Sequence, residues 1–148
     1  MITFNKSVAI FDDHYVWLDS ISLWCKCKYG FNKIYKTTSE DELYNYCLNN
    51  KNNVDVIILD FYNGNKNTLP LLKKLKKINP DFLIIVVSAN FISDEEVLDT
   101  KEMLKALEGG ANRVCVKDIN KLEDIIISHL EFRDTSMYNY FKNKEKDS

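Results

Sequence analysis

Five polar side chains follow apolar stretches of this 148-residue sequence, and their types suit metal-ion and phosphoryl chemistry. They are Asp12, Asp13, Asp60, Ser88 and Lys117. Carboxylates gathered in one pocket repel one another unless a cation intervenes, and oxygen ligands are those that Mg²⁺ prefers. A carboxylate can also attack phosphorus, while a lysine and a hydroxyl stabilise the oxygens of the transferred group. If the fold brings these residues together, they predict a phosphoryl group on Asp60 beside a bound Mg²⁺.

The stretches before these residues are typical of strands in a parallel sheet. Apolar runs that are nearly continuous, as at residues 54–60, indicate strands that are buried on both faces. Strands are predicted at residues 7–11, 54–60, 82–87 and 111–116, with a short strand candidate at residues 31–36. These five stretches alternate with five stretches of helical spacing. The helices are predicted at residues 14–29, 40–48 and 69–78, from residue 93 or 99 to Gly109, and at residues 122–130.

This alternation predicts an α/β fold in which right-handed crossovers place helices on both faces of a parallel sheet. The carboxyl ends of all five strands then point the same way. The five polar residues are therefore expected to meet at one edge of the sheet, with residues 61–67 forming a polar loop beside them. We expect one domain over residues 1–133, followed by a charged tail or linker at residues 134–148.

Bulk composition excludes several other classes of protein. The net charge of −2 gives no basic field for nucleic acid, and no apolar run approaches the roughly 18 residues of a membrane span. The first residues lack a signal-peptide pattern, and the four cysteines show no C-x-x-C spacing. We therefore expect a cytoplasmic protein with reduced thiols that binds neither nucleic acid nor membranes directly.

Four stretches resemble the receiver domains of response regulators in two-component signalling. They read VAIFDDH, VIILD, IIVVSA and LKALEGGANRVCVKD, and the resemblance spans about residues 7–130. It implies the flavodoxin-like (βα)5 fold, a three-layer structure with a five-stranded parallel sheet in the strand order 2-1-3-4-5.

The resemblance also implies a role for each residue of the candidate site. Asp60 would be the phosphoacceptor, and Lys117 would bind the phosphoryl group. Ser88 would supply the hydroxyl that reports phosphorylation. Mg²⁺ would be held by Asp13, Asp60 and the main-chain carbonyl of Tyr62, and by Asp12 through water. Such a domain is a switch in a phosphorelay rather than an enzyme, because it catalyses only its own phosphorylation and dephosphorylation.

The partners implied are a sensor histidine kinase or a phosphotransfer protein, a downstream protein, and a second copy of the chain in a homodimer. Asp12-Asp13-His14 and Lys117-Asp118 resemble the NarL/FixJ subfamily, whose members continue into a DNA-binding domain. We expect either a single-domain regulator or one whose effector domain is missing after Ser148.

Several positions depart from the receiver pattern. Asn63 and Gly64 stand where receivers usually have Met-Pro, and Thr68 stands where they usually have Gly. Val114 replaces the usual aromatic switch residue, and the segment at residues 91–100 is longer than in the subfamily. The apolar residues of this segment either pack against the following helix, or the segment takes over the role of the aromatic switch and presents a partner surface.

Three alternatives remain open. A Mg²⁺-dependent phosphatase with an aspartyl nucleophile typically needs Asp-x-Asp after the first strand, whereas these acids are adjacent. A flavin carrier needs a phosphate-binding loop after that strand, and the sequence has none there. A pseudo-receiver acts as a protein-interaction module without phosphorylation. Val114 and the lengthened segment keep this alternative open, whereas the presence of all five site residues argues against it.

Overall fold

Seven strands and five helices are present in the computed structural model, which describes residues 6–27, 31–89 and 100–128. In chain order they are β1 (Ser7–Phe11), α1 (Tyr15–Cys27), β2 (Lys33–Thr37), α2 (Glu40–Asn49), β3 (Val56–Asp60), β4 (Tyr62–Asn63), β5 (Lys66–Asn67), α3 (Leu69–Ile78), β6 (Leu83–Ser88), α4 (Thr100–Glu108), β7 (Arg113–Val116) and α5 (Ile119–Ile126). No helix in these described ranges is both long and apolar enough to cross a membrane.

The main sheet has five parallel strands in the order β2-β1-β3-β6-β7. Once the short β4–β5 ladder is set aside, this is the predicted order 2-1-3-4-5, and the predicted flavodoxin-like fold is confirmed. Every residue of β1, β3 and β6 is buried, because these are the inner strands and both their faces are covered.

Helices cover the sheet on two sides. On one face, Leu43 of α2, Leu72 of α3 and Ala106 of α4 belong to the same core cluster as side chains of the inner strands. On the other face lies α1, which contacts β1 and β2 and buries Leu18 and Ile21. In α1, α2 and α3 the buried apolar residues recur at helical spacing, as predicted.

The chain divides into two compact units after Lys117. The first contains the sheet and helices α1 to α4. The second contains α5, whose N-cap Asp118 accepts hydrogen bonds from the N–H groups of Asn120 and Lys121 at 2.8 and 3.3 Å. This cap starts α5 at Ile119, three residues before the predicted start at Leu122.

Several predicted boundaries fall outside the described residues. These are the end of α1 near Gly30, the alternative start of α4 at Ser93, and the border between residues 133 and 134. Nearly all of the lengthened segment at residues 91–100 is also outside them. Where the structure does describe α4, Leu104 and Leu107 are exposed, and Ala106 is its buried residue.

One predicted loop is wrong in part. Residues 61–67 were expected to be irregular, but Tyr62 pairs with Asn67 and Asn63 with Lys66 in a short antiparallel hairpin. Gly64 lies in its turn with φ of 64°, a left-handed conformation that glycine adopts without the strain of a Cβ atom. We call residues 62–67 the β4–β5 hairpin. It follows β3 directly and therefore stands at the carboxyl edge of the sheet.

Candidate functional site

A pocket of about 500 Å³ opens at the carboxyl edge of the sheet. Its lining residues are Asp13, His14, Asp60, Tyr62, Gly64, Asn65, Ser88, Ala89 and Lys117. The predicted site residues therefore come together. Asp12 is 1% exposed and does not line the pocket itself, but its carboxylate contacts Lys117, which does. The convergence follows from the topology, because β1, β3, β6 and β7 all end at this edge.

Asp12 is held by contacts on both sides of its carboxylate. Its Oδ1 accepts a hydrogen bond from the N–H of His14 at 2.8 Å, and its Oδ2 lies 3.0 Å from Nζ of Lys117. Its own N–H donates to the carbonyl of Thr37 at 3.3 Å, which extends the β1–β2 ladder by one residue. Asp12 is thus a buried, paired carboxylate at a fixed position.

Lys117 is the cation within the acid cluster. In addition to Asp12, its Nζ contacts Oδ2 of Asp60 at 3.5 Å, and its side chain is only 15% exposed. The N–H of Lys117 donates to the carbonyl of Ser88 at 3.2 Å, which fixes the backbone beside the pocket. The ring of Trp17 lies below the ammonium, with its centroid 5.9 Å from Nζ. The helical spacing of residues 14–29 does not indicate that Trp17 lies beside Lys117.

One lysine does not neutralise the carboxylates around Asp60. Burial, and then the negative charge of Asp12, raise the pKa of Asp60 to about 8, although Lys117 acts in the opposite direction. A hydrogen bond between the carboxyls of Asp60 and Asp13 contributes to the same rise. At neutral pH in the absence of a metal, Asp60 therefore holds a proton.

Asp13 has the opposite tendency. Burial alone would raise the pKa of Asp13. Hydrogen bonds from the Gly64 N–H and from Asp60 outweigh this effect, together with the positive charge that His14 can carry, and the pKa lies below its ordinary value. Asp13 and Asp60 thus form a pair in which Asp60 carries the proton and Asp13 the charge.

The acid cluster fits a hard divalent cation. Oδ1 of Asp13 is buried and accepts no hydrogen bond, although Nδ1 of His14 lies 3.0 Å from it. One ligand atom from each of Asp12, Asp13, His14 and Asp60 can be chosen so that all four lie within 4.8 Å of one another. A buried carboxylate oxygen without a donor is costly, and a cation bound there would satisfy it.

Thr68 contacts the backbone of the site, although in the sequence it was notable only because receivers usually have Gly at this position. Its hydroxyl, which is buried, donates to the carbonyl of Asp60 at 2.7 Å, and its N–H donates to the carbonyl of Phe61 at 2.8 Å. These bonds tie the start of α3 to the end of β3. Thr68 thereby fixes the backbone that carries the Asp60 side chain.

Ser88, which is predicted to report phosphorylation, and Val114, which replaces the usual aromatic switch residue, have contrasting surroundings. Ser88 is buried at the end of β6 and lines the pocket. Val114, in the edge strand β7, is half-buried and packs against the core cluster of the inner strands. The segment expected to connect with them, residues 91–100, lies outside the described residues except for Thr100.

Comparison with known proteins agrees with this geometry. The family model of the response regulator receiver domain matches residues 8–128, which is most of the chain. No curated protein sequence matches the chain significantly.

Solved structures share the fold at low sequence identity. A response regulator protein from Burkholderia pseudomallei with a phosphorylated aspartic acid, calcium ion and citrate is 21% identical, with a TM-score of 0.68 over 95% of this chain and 72% of its own. The CheX–CheY–BeF3–Mg complex from Borrelia burgdorferi is 22% identical, with a TM-score of 0.69 over 83% and 87%. The receiver domain of the histidine kinase CKI1 from Arabidopsis thaliana, complexed with Mg²⁺ and BeF3⁻, is 17% identical, with a TM-score of 0.68 over 84% and 89%.

Proposed function

We propose that this chain, which belongs to the response regulator receiver domain family, accepts a phosphoryl group on Asp60 and changes conformation to control an output. The observation that carries the proposal is that Asp60 lines one open pocket together with Asp13 and Lys117, beside the buried Asp12 carboxylate of the same acid cluster. The phosphoryl donor would be a phosphohistidine of a sensor histidine kinase or of a phosphotransfer protein.

In the transfer step, a carboxylate oxygen of Asp60 attacks the phosphorus atom of the phosphohistidine. An O–P bond forms while the P–N bond breaks, and the imidazole nitrogen keeps the bonding electrons and takes up a proton. Asp60 must first release the proton that its raised pKa of about 8 retains. Lys117, which is 3.5 Å from Asp60, would then pair with the oxygens of the phosphoryl group.

Asp13, Asp60 and the main-chain carbonyl of Tyr62 would hold Mg²⁺ directly, and Asp12 would do so through water. Mg²⁺ bound there would neutralise the carboxylates and the phosphoryl oxygens. The buried Oδ1 of Asp13, which accepts no hydrogen bond, and the proton held on Asp60 support this assignment, since both reflect an excess of negative charge.

The output would begin at Ser88, which lines the pocket and would donate its hydroxyl hydrogen to the new phosphoryl group. Because Val114 has no ring to reorient, movement of Ser88 would pass instead to residues 91–100 and from there to a downstream protein. A DNA-binding domain or a second copy of the chain could fill that partner role. Asp12-Asp13-His14 and Lys117-Asp118 support the NarL/FixJ type.

We further propose a cytoplasmic location, a domain that ends near residue 133 with a tail after it, and no catalysis beyond the domain's own phosphorylation and dephosphorylation. Neither nucleic acid nor a membrane would be bound by this part of the chain.

The test is incubation with Mg²⁺ and acetyl phosphate, followed by intact-mass measurement. We expect a gain equal to one phosphoryl group that decays with time and is absent from Asp60→Asn. A pseudo-receiver would show no gain under any metal condition. Steady turnover of unrelated phosphate esters would indicate a phosphatase instead.

A further inference from the structure

The β4–β5 hairpin delivers a backbone N–H group to one of the acids in the pocket. The N–H of Gly64 donates to Oδ2 of Asp13 at 3.0 Å, across 51 residues of sequence. The other oxygen of the same carboxylate, Oδ1, is buried and accepts no hydrogen bond. The hairpin thus fixes one oxygen of Asp13 and leaves the second without a hydrogen bond, 3.0 Å from Nδ1 of His14.

A side-chain contact fastens the hairpin to a helix. Nδ2 of Asn63 donates to Oε2 of Glu40 at 2.6 Å, a short bond to a charged acceptor. Both side chains are half-buried, and Glu40 lies in the first turn of α2, which packs on the sheet. The bond therefore ties the turn to a rigid element of the fold.

These contacts form one chain that leads from α2 to the acid cluster: Glu40 binds Asn63, the adjacent Gly64 N–H binds Asp13, and Asp13 faces Asp60. Gly64 can occupy the turn because its φ of 64° suits glycine. Proline, the residue that receivers usually have here, lacks an N–H and could not donate to Asp13. The replacement of the usual proline by Gly64 thus allows a backbone hydrogen bond to Asp13.

We propose that Asn63 and Glu40 are positioning residues of the metal site, which act by holding the Gly64 N–H against Oδ2 of Asp13. The inference rests on the proposed function, because it assumes that Asp13 binds Mg²⁺. Hydrogen bonds to the free oxygen of a ligating carboxylate orient it and keep it ionised, and losing such a partner typically costs roughly 10–100-fold in metal affinity.

The first experiment is a Mg²⁺ titration of purified variants by calorimetry. We expect Asn63→Ala and Glu40→Ala each to weaken binding by about tenfold, the lower end of the range for such partners. Glu40→Gln should restore most of the affinity, because its amide oxygen can still accept from Asn63. The double variant should be no weaker than either single variant, since both break the same contact.

Asn79→Ala is the matched control. Asn79 also donates through Nδ2 to an acceptor on another segment, the carbonyl of Lys51 at 2.8 Å, but it follows α3 at the opposite edge of the sheet. This variant should bind Mg²⁺ like the wild type. If Asn63→Ala and Glu40→Ala also bind like the wild type, the proposal is wrong.

The second measurement observes the N–H group itself. The chain has four glycines, so glycine-selective ¹⁵N labelling gives a simple spectrum in which Gly64→Ala identifies the Gly64 peak. Asp13→Asn should move this peak upfield as the charged acceptor is lost, and Asn63→Ala should move it in the same direction. If neither substitution changes the chemical shift of Gly64, the inference is wrong even if the wild type binds Mg²⁺ and becomes phosphorylated. Absence of Mg²⁺ binding by the wild type would instead overturn the proposed function.

Discussion

The proton held by Asp60 makes a quantitative prediction about metal binding. The pKa of Asp60 is raised to about 8, chiefly by burial and then by the charge of Asp12. At pH 7, about nine in ten Asp60 side chains therefore carry a proton that must leave before the carboxylate can bind Mg²⁺. The apparent affinity should rise about tenfold from pH 6 to pH 7, and it should level off above pH 8.

Calorimetric titrations between pH 6 and pH 9 measure this dependence, and buffers with different heats of ionisation count the protons. At pH 7, Mg²⁺ binding should release close to one proton. In Asp60→Asn the remaining affinity should be weaker, and its dependence on pH should be nearly flat. If the wild type binds Mg²⁺ with the same dissociation constant at pH 6 and pH 8, a proton on Asp60 does not limit Mg²⁺ binding and the reasoning is refuted.

Three further predictions concern stability and the roles of single residues. In metal-free protein the raised pKa of Asp60 makes the folded state hold a proton that the unfolded state releases, so the free energy of unfolding should fall as pH rises from about 4 to about 8. Asp60→Asn should therefore raise the melting temperature most at the upper end of that window. Equal increases at pH 5 and pH 8 would contradict this. Lys117→Ala should destabilise the metal-free protein by about 3 kcal/mol, because Asp12 loses a buried partner at 3.0 Å. At pH 9, where the proton on Asp60 competes least, the variant should bind Mg²⁺ as well as the wild type or better, since a repelling cation is removed; loss of Mg²⁺ binding by a folded variant at that pH would show that this account of Lys117 is wrong. Thr68→Val should lower the free energy of unfolding in urea by about 1–3 kcal/mol, because the Asp60 carbonyl loses its donor at 2.7 Å. Thr68→Ser keeps the hydroxyl and should lower it much less. If Thr68→Val leaves the free energy of unfolding unchanged, the hydroxyl does not hold the Asp60 backbone.

The elements that position the site were predictable because they depend on side-chain pattern. The unbroken apolar run before Asp60 identified an inner strand, and β3 is buried along its whole length. Parallel topology then required Asp12, Ser88 and Lys117 to meet at the same edge, since the carboxyl ends of parallel strands share it. Five strands with helices between them allowed few other arrangements.

Contacts made by the backbone were not predictable in this way. The β4–β5 hairpin has no apolar alternation to indicate strands, and the Asn63-Gly64 dipeptide indicated only a turn. That the Gly64 N–H reaches Asp13 depends on the position of two segments 51 residues apart. In the same way, the fit of Thr68 beneath Asp60 and the place of Trp17 beside Lys117 depend on tertiary packing.

The central claim is that Asp60 is the residue that accepts the phosphoryl group. The most direct measurement is to treat the protein with Mg²⁺ and acetyl phosphate, reduce the acyl phosphate with borohydride, and locate the resulting homoserine by peptide mass spectrometry. The account predicts homoserine at position 60 alone, and none without Mg²⁺ or in Asp60→Asn. Homoserine at Asp12 or Asp13, or no conversion under any of these conditions, would contradict it.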